Sequence, residues 1–218
     1  MNTSEGTDFH EKQEILPAHG AVMMQKRIAV ICPGIGYHKD KPLLYYSARF
    51  AQEAGYELLD VAFHDMPRKI IGNSDLIAQA AALAFQQTEE QLQSVRWDTY
   101  EEILLIGKSI GTIAAAKYAA AHAIPARQLW YTPLLETFSF APSAYDCIAF
   151  IGDADPWSDL TQIQQAAAAH NIPLYLYPQC NHSLECGDIL RNLENLYNVM
   201  QISSRFIRHQ IRNIADEV

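Results

Sequence analysis

Glu101-Glu102-Ile103-Leu104-Leu105-Ile106-Gly107-Lys108-Ser109-Ile110-Gly111-Thr112 is the stretch that decides how this chain folds. The branched apolar run from Ile103 to Ile106 has the length and composition of a strand buried on both faces. It stops at Gly107, and a small-residue helical stretch follows over residues 113–123. Gly107-x-Ser109-x-Gly111 between a strand and a helix has the form of a nucleophile elbow, a turn so tight that the serine hydroxyl is lifted off the sheet. Side chains at the flanking positions would collide with the crossing helix, and glycine removes them. At this composition the pattern arises by chance about 0.02 times per chain, before any strand–turn–helix context is required.

Two other readings compete for the same residues. Gly107-Lys108-Ser109 resembles the end of a P-loop, but that motif needs a glycine five residues earlier, where Glu102 stands. The strand also runs straight into Gly107, leaving no loop to wrap a phosphate. The blander alternative is a glycine-pinched turn whose serine only caps the helix.

The rest of the chain supplies the context. At 218 residues, with 49% hydrophobic and 19% charged content, it has the size and balance of one soluble α/β domain. A net charge of −9 and an acidic isoelectric point of 5.3 argue against nucleic acid or an anionic membrane as a partner. No apolar run approaches the ~18 residues that a membrane span needs. Residues 1–14 lack the basic and apolar regions of a secretory signal, so reduced thiols at Cys32, Cys147, Cys180 and Cys186 and a cytoplasmic location are expected.

Read in order, residues 1–22 show no sustained period and are expected to form a tail or arm, with residues 23–218 as a single domain. Strands are predicted over residues 27–32, 57–63, 101–107, 127–132, 146–151 and 173–177. Helices are predicted over residues 42–54, 75–95, 113–123 and 158–170, with a final helix after residue 185 carrying Ile189, Leu193, Leu196, Tyr197 and Met200 on one stripe. Alternation of this kind gives a doubly wound, mostly parallel six-stranded sheet with helices on both faces. The expected strand order is 2-1-3-4-5-6. Ligands in such sheets bind at the strands' carboxyl ends where the winding reverses, which would bring Gly34-Ile35-Gly36 beside Ser109.

A serine hydroxyl needs a base within hydrogen-bond reach and a third group to orient that base. His10 and His19 lie in the tail, while His122, His170 and His209 fall on helices. His38 and His64 follow strands and could line a pocket. Only His182 follows the last strand, in Gln179-Cys180-Asn181-His182-Ser183-Leu184-Glu185. The preceding strand ends in Gly152-Asp153-Ala154-Asp155-Pro156-Trp157, which offers two carboxylates. Serine, aspartate and histidine then occur in the order expected for this elbow.

From about Arg27 to Glu185 the chain resembles a small α/β-hydrolase, nearest the lidless, dienelactone-hydrolase-like branch. The resemblance rests on Pro33-Gly34-Ile35-Gly36, the elbow, Gly152-x-x-Asp155-Pro156 and Asn181-His182-Ser183-Leu184. It implies a reduced α/β-hydrolase fold with Ser109 as nucleophile, His182 as base and Asp155 as the orienting acid. It also implies an oxyanion hole from the backbone N–H groups of Ile110 and Ile35, with no cofactor and no metal. The implied reaction is cleavage of a small-molecule carboxylic ester through an acyl-serine, with thioesters or amides as variants. This sequence departs from the family in having Pro33-Gly34 where the family has His-Gly, and in lacking the family's first two strands.

A non-catalytic hydrolase-like binding or scaffold protein is the alternative reading. A dinucleotide site at Gly34-x-Gly36 fails because Lys39 holds the third glycine position. Cys180, His182 and Cys186 supply only three ligands for a metal, at an unusual spacing. Residues 133–145 are just long enough for a parallel crossover, so no helical lid is expected. That leaves an open cleft with expected walls at Tyr37, His38, His64, Tyr131, Leu134 and Trp157, and a preference for short acyl groups.

Overall fold

The computed structural model describes Met1, residues 26–142 and residues 146–210, so the expected arm at residues 1–22 lies, apart from Met1, outside the described residues. Six strands form one parallel sheet: β1 (Arg27–Cys32), β2 (Tyr56–Asp60), β3 (Glu102–Lys108), β4 (Arg127–Tyr131), β5 (Cys147–Gly152) and β6 (Leu174–Tyr177). Their order is β2-β1-β3-β4-β5-β6, with the winding reversing between β1 and β3. All pairings are parallel, with Cys32 level with Gly107 and Lys108 level with Tyr131 at the carboxyl edge.

Helices α1 (Pro42–Glu53) and α5 (Ile189–Ile207) cover one face of the sheet. Helices α2 (Ser74–Leu92), α3 (Ile110–Ala121) and α4 (Leu160–Ala169) cover the other. The central strands are therefore buried from both sides, which accounts for their unbroken apolar sequence. Each fully buried leucine or isoleucine, such as Leu104 or Ile106, contributes ~2 kcal/mol by its removal from water. Helix α3 is apolar on all sides and almost wholly buried, as a helix wedged between the sheet and α2 must be. Helix α5 buries Val199, Met200, Ile202, Phe206 and Ile207 but leaves Ile189, Leu190, Leu193 and Tyr197 exposed. No helix among the described residues is long and apolar enough to cross a membrane.

The second strand ends at Asp60 rather than at residue 63. The Val61 N–H still donates to the Ile31 carbonyl of β1 at 2.9 Å, and from Ala62 on the backbone is held by side chains of α2. Gln91 Nε2 donates to the Ala62 carbonyl at 2.8 Å, and its Oε1 accepts from the Ala62 N–H at 2.9 Å. Gln87 bonds both backbone groups of His64 in the same way, at 2.8 and 2.9 Å. The described part of the crossover between β4 and β5 contains a 3-10 helix, Leu135–Phe140, that buries Thr137 and Phe138 against α3 and Trp130, and no helical lid.

Candidate active site

Ser109 connects β3 to α3 with φ 56° and ψ −124°, a backbone conformation that is costly for any residue with a side chain. Its neighbours hold it there. The Ser109 N–H donates to the Tyr131 carbonyl at 3.0 Å, and its own carbonyl accepts from the Thr112 N–H at 2.8 Å and the Thr112 hydroxyl at 2.6 Å. A Cβ added at Gly111 would lie 2.2 Å from the Cys32 carbonyl oxygen, so only glycine lets α3 seat against the end of β1. That close approach brings the Pro33–Gly36 turn alongside the elbow.

The serine hydroxyl does not cap the helix, as the blander reading would have it. Ser109 Oγ is instead 2.7 Å from His182 Nε2. His182 Nδ1 lies 2.7 Å from Asp155 Oδ2 on the far side of the ring. The loops carrying these two residues are fitted backbone to backbone, since a Cβ at Gly152 would lie 2.1 Å from the Cys180 carbonyl oxygen. Ala154 N–H donates to that carbonyl at 3.1 Å, and Asn181 Oδ1 accepts from the N–H groups of Ser183 and Glu185 to shape the histidine loop.

The two candidate carboxylates part ways. The Asp155 side chain is 1% exposed, and its Oδ1 accepts from the Trp157 N–H at 2.9 Å. Asp153 is exposed and accepts from the Gln179 N–H at 2.5 Å, a bond that ties the loop after β5 to the loop after β6. The His182 side chain is 14% exposed, with the Trp157 indole stacked on it. Burial pulls its pKa down to about 4, the nearby Lys108 charge adds to this, and the hydrogen bond and charge of Asp155 oppose it. The ring is therefore neutral at pH 7 and free to accept a proton, and its hydrogen bond to Asp155 places the N–H on Nδ1 and the lone pair toward Ser109.

The two expected oxyanion donors lie at the same edge. Ile110 opens α3, so its N–H is one of the helix's unpaired first-turn donors at the positive end of the dipole. In the β1 turn, Gly34 and Tyr37 exchange both backbone hydrogen bonds, at 3.1 and 3.2 Å, and Ile35 between them takes no part in that exchange.

The expected cleft walls divide into two groups. A cleft of about 460 Å³ opens beside the Pro33–Gly36 turn and takes in His38, Lys39, Asp40, Asp60, the residues from Val61 to Phe63, and Met66. Trp157 does not line this cleft and instead stacks at 4.9 Å on His182. Tyr131 belongs to the core, where its hydroxyl bridges Ser47 and Ser203 at 2.7 Å each, and Leu134 is buried against Ile110 and Trp157. Tyr37 is also buried, with its hydroxyl accepting from the Leu43 N–H. His64 is exposed, and its backbone is held by Gln87. Sequence reasoning missed Phe63 and Met66, although both follow a strand's carboxyl end, the signal that singled out His64.

Three other histidines among the described residues have partners elsewhere: His122 bonds Glu89, His209 bonds Glu102, and His38 lies near Asp40. The trio of Cys180, His182 and Cys186 is not assembled, because His182 directs one nitrogen to Ser109 and the other to Asp155. Cys180 Sγ instead accepts from Asn195 Nδ2. No group of three metal-ligating side chains occurs among the described residues.

No family model and no curated protein matches the sequence. Solved structures do. A serine hydrolase without a lid from Xanthomonas campestris is 18% identical, with a TM-score of 0.61 over 88% of this chain and 86% of its own. A hydrolase of the alpha/beta superfamily from the same organism is 15% identical, with a TM-score of 0.58 over 85% of this chain and 98% of its own. Est1E from Butyrivibrio proteoclasticus is 12% identical, with a TM-score of 0.59 over 85% of this chain and 88% of its own. Together with the strand order and the serine at the switch point, these similarities show that the chain has the α/β-hydrolase fold in a six-stranded, all-parallel form.

Proposed function

We propose that this chain is a serine hydrolase that cleaves carboxylic esters of small molecules through an acyl-serine intermediate. The observation that carries the reading is the continuous relay from Ser109 Oγ through the two nitrogens of His182 to the buried Asp155 carboxylate, 2.7 Å at each step. A neutral imidazole in the correct tautomer is what makes a serine hydroxyl nucleophilic.

In this mechanism His182 Nε2 takes the hydroxyl proton as Oγ attacks the ester carbonyl carbon. Asp155 stabilises the imidazolium that forms and keeps its ring in place. The carbonyl oxygen, now negative, is met by the N–H groups of Ile110 and Ile35, each worth ~3 kcal/mol when aimed at developing charge. His182 then returns the proton to the departing alkoxide. Water, deprotonated by the same histidine, attacks the acyl-serine and regenerates Ser109. Thioesters and amides would follow the same path with a different leaving group.

The test is labelling of the protein with a fluorophosphonate and assay on p-nitrophenyl acetate. Ser109 is expected to carry the label, and Ser109→Ala to lower kcat by about 10⁴ or more. Hydrolysis by Ser109→Ala within about tenfold of wild type would remove Ser109 as the nucleophile.

A further inference from the structure

The relay leaves one buried charged group unused. Lys108, between the two glycines of the elbow, is 1% exposed at the end of β3. Its side chain follows the face of Leu104 and Ile106, toward α1 and α5. Among the described residues no hydrogen bond or ion pair holds its ammonium; its recorded neighbour is the Tyr37 ring, with Nζ 5.0 Å from the centroid. A buried lysine without a carboxylate partner is rare, because the unpaired charge is costly to desolvate.

The groups around it come from four directions. Tyr37 belongs to the β1 turn, and Lys41, the N-cap of α1, lies 5.2 Å from the same ring. Tyr131 is its register partner on β4. Asp155 attracts the ammonium from the loop after β5, while His182, after β6, is repelled by it. Glu185 lies close enough to act on Tyr37. Burial is the largest influence and brings the lysine down to about 7, with Asp155 opposing and Lys41 adding to the shift.

We propose that Lys108 is a positioning residue that sets the pH at which the Ser109–His182 pair works: protonated, it disfavours the imidazolium form of His182, and on losing its proton it frees the base. The proposal rests on the serine hydrolase reading above. Proton transfer from Ser109 creates a positive imidazole, and a second positive charge nearby in a water-poor interior opposes that step directly.

The experiment is kcat/KM on p-nitrophenyl acetate from pH 5 to 9, for wild type, Lys108→Met and Lys108→Arg. Fluorophosphonate labelling of wild-type Ser109 at pH 9 runs in parallel. Wild type is expected to lose about tenfold per pH unit below its midpoint near 7. Lys108→Met is expected to change by less than about threefold between pH 6 and 8. Lys108→Arg, which cannot lose its charge, is expected to stay at the low rate throughout. A wild-type titration of lysine labelled with ¹³C at Cε depends on no variant, and one signal should move near pH 7. A midpoint near 7 that persists in Lys108→Met, or a full set of lysine signals that titrate near the ordinary ~10.4, would overturn the proposal. If Ser109 neither takes the label nor supports hydrolysis at any pH, the serine hydrolase reading fails and this proposal with it. If Ser109 is labelled but the wild-type profile is flat, only the role of Lys108 fails.

Discussion

The Trp157 indole lies on the His182 imidazole, centroids 4.9 Å apart and planes 19° from parallel, while the Trp157 N–H donates to the Asp155 carboxylate. One residue therefore both shields the imidazole and steadies the carboxylate. Its backbone bond is kept in an alanine variant, so Trp157→Ala isolates the shielding. Burial is the main cause of the low His182 pKa, so opening one face of the ring should move it up from about 4 toward the ordinary ~6.5. Imidazole NMR titration measures the shift, and kcat/KM at pH 8 should fall by about tenfold as the ring loses its rest. Trp157→Phe should keep most of both. An unmoved titration in Trp157→Ala would mean that the indole does not desolvate the base.

Asp155→Asn and Asp153→Asn separate the two carboxylates of one turn. An amide at Asp155 can donate to Nδ1 and so favour the wrong histidine tautomer, lowering kcat by about 10⁴. Asp153 bonds the Gln179 N–H, so its amide should cost ~1 kcal/mol of stability and leave kcat close to wild type. Kinetics and thermal melts on both variants decide the assignment. Reversed phenotypes would exchange the two roles while leaving Ser109 and His182 in place.

Lys108 also predicts a pH dependence of stability. Its folded pKa, about 7, lies below the ordinary ~10.4 of an unfolded lysine. Between those values the unfolded chain holds the extra proton, so this group's contribution to stability rises with pH across that window. Below pH 7 both states are protonated and the folded chain carries the whole cost of a buried charge. Lys108→Met should therefore be more stable than wild type by ~4 kcal/mol at pH 6, with the difference shrinking toward pH 10. Urea unfolding at several pH values measures it. A methionine variant less stable than wild type at pH 6 would mean that the ammonium has a partner after all.

The cleft beside the β1 turn is open, and the described part of the β4–β5 crossover provides no lid. An open cleft cannot desolvate a long acyl chain, and each CH₂ left in water forgoes ~0.8 kcal/mol of binding. The kcat/KM for p-nitrophenyl esters should peak at short acyl chains and show no jump above the micelle concentration. A maximum at palmitate would point to an enclosed acyl tunnel.

Much of this architecture was legible in the chain. The unbroken apolar run Ile103–Ile106 ending in glycine marks a central parallel strand, and the helical residues after Ser109 force the turn. Strand order 2-1-3-4-5-6 is consistent with the alternation without being dictated by it, and it is the order observed. Where residues follow strands their neighbourhood is easily read, but their direction is not. Tyr131 and Leu134 are at strand ends like Trp157, yet they turn into the core, because the side-chain period of two assigns faces only once register is known. The early end of β2 was also hidden, since Val61-Ala62-Phe63 has strand composition and only the opposing glutamines of α2 show what it pairs with. Lys108 read as a variable position of the motif, and nothing in the pattern placed an ammonium beside the Tyr37 ring.

Gln87 and Gln91 act together as a substitute strand. Their amides present a donor and an acceptor to Ala62 and to His64, the alternate residues that a true neighbouring strand would engage. The fit is metric: four residues along a helix advance about 6.0 Å and two along an extended chain about 6.6 Å, so one helical turn can mimic one pleat. The segment carrying Phe63 is thereby closed to pairing with a second molecule at the outer edge of the sheet, where open backbone groups invite aggregation. It also means that the part of the cleft wall past Val61 hangs from two side chains rather than from the sheet. A chain built this way can reshape its binding surface by changing two glutamines on a helix, leaving the strands beneath the serine untouched.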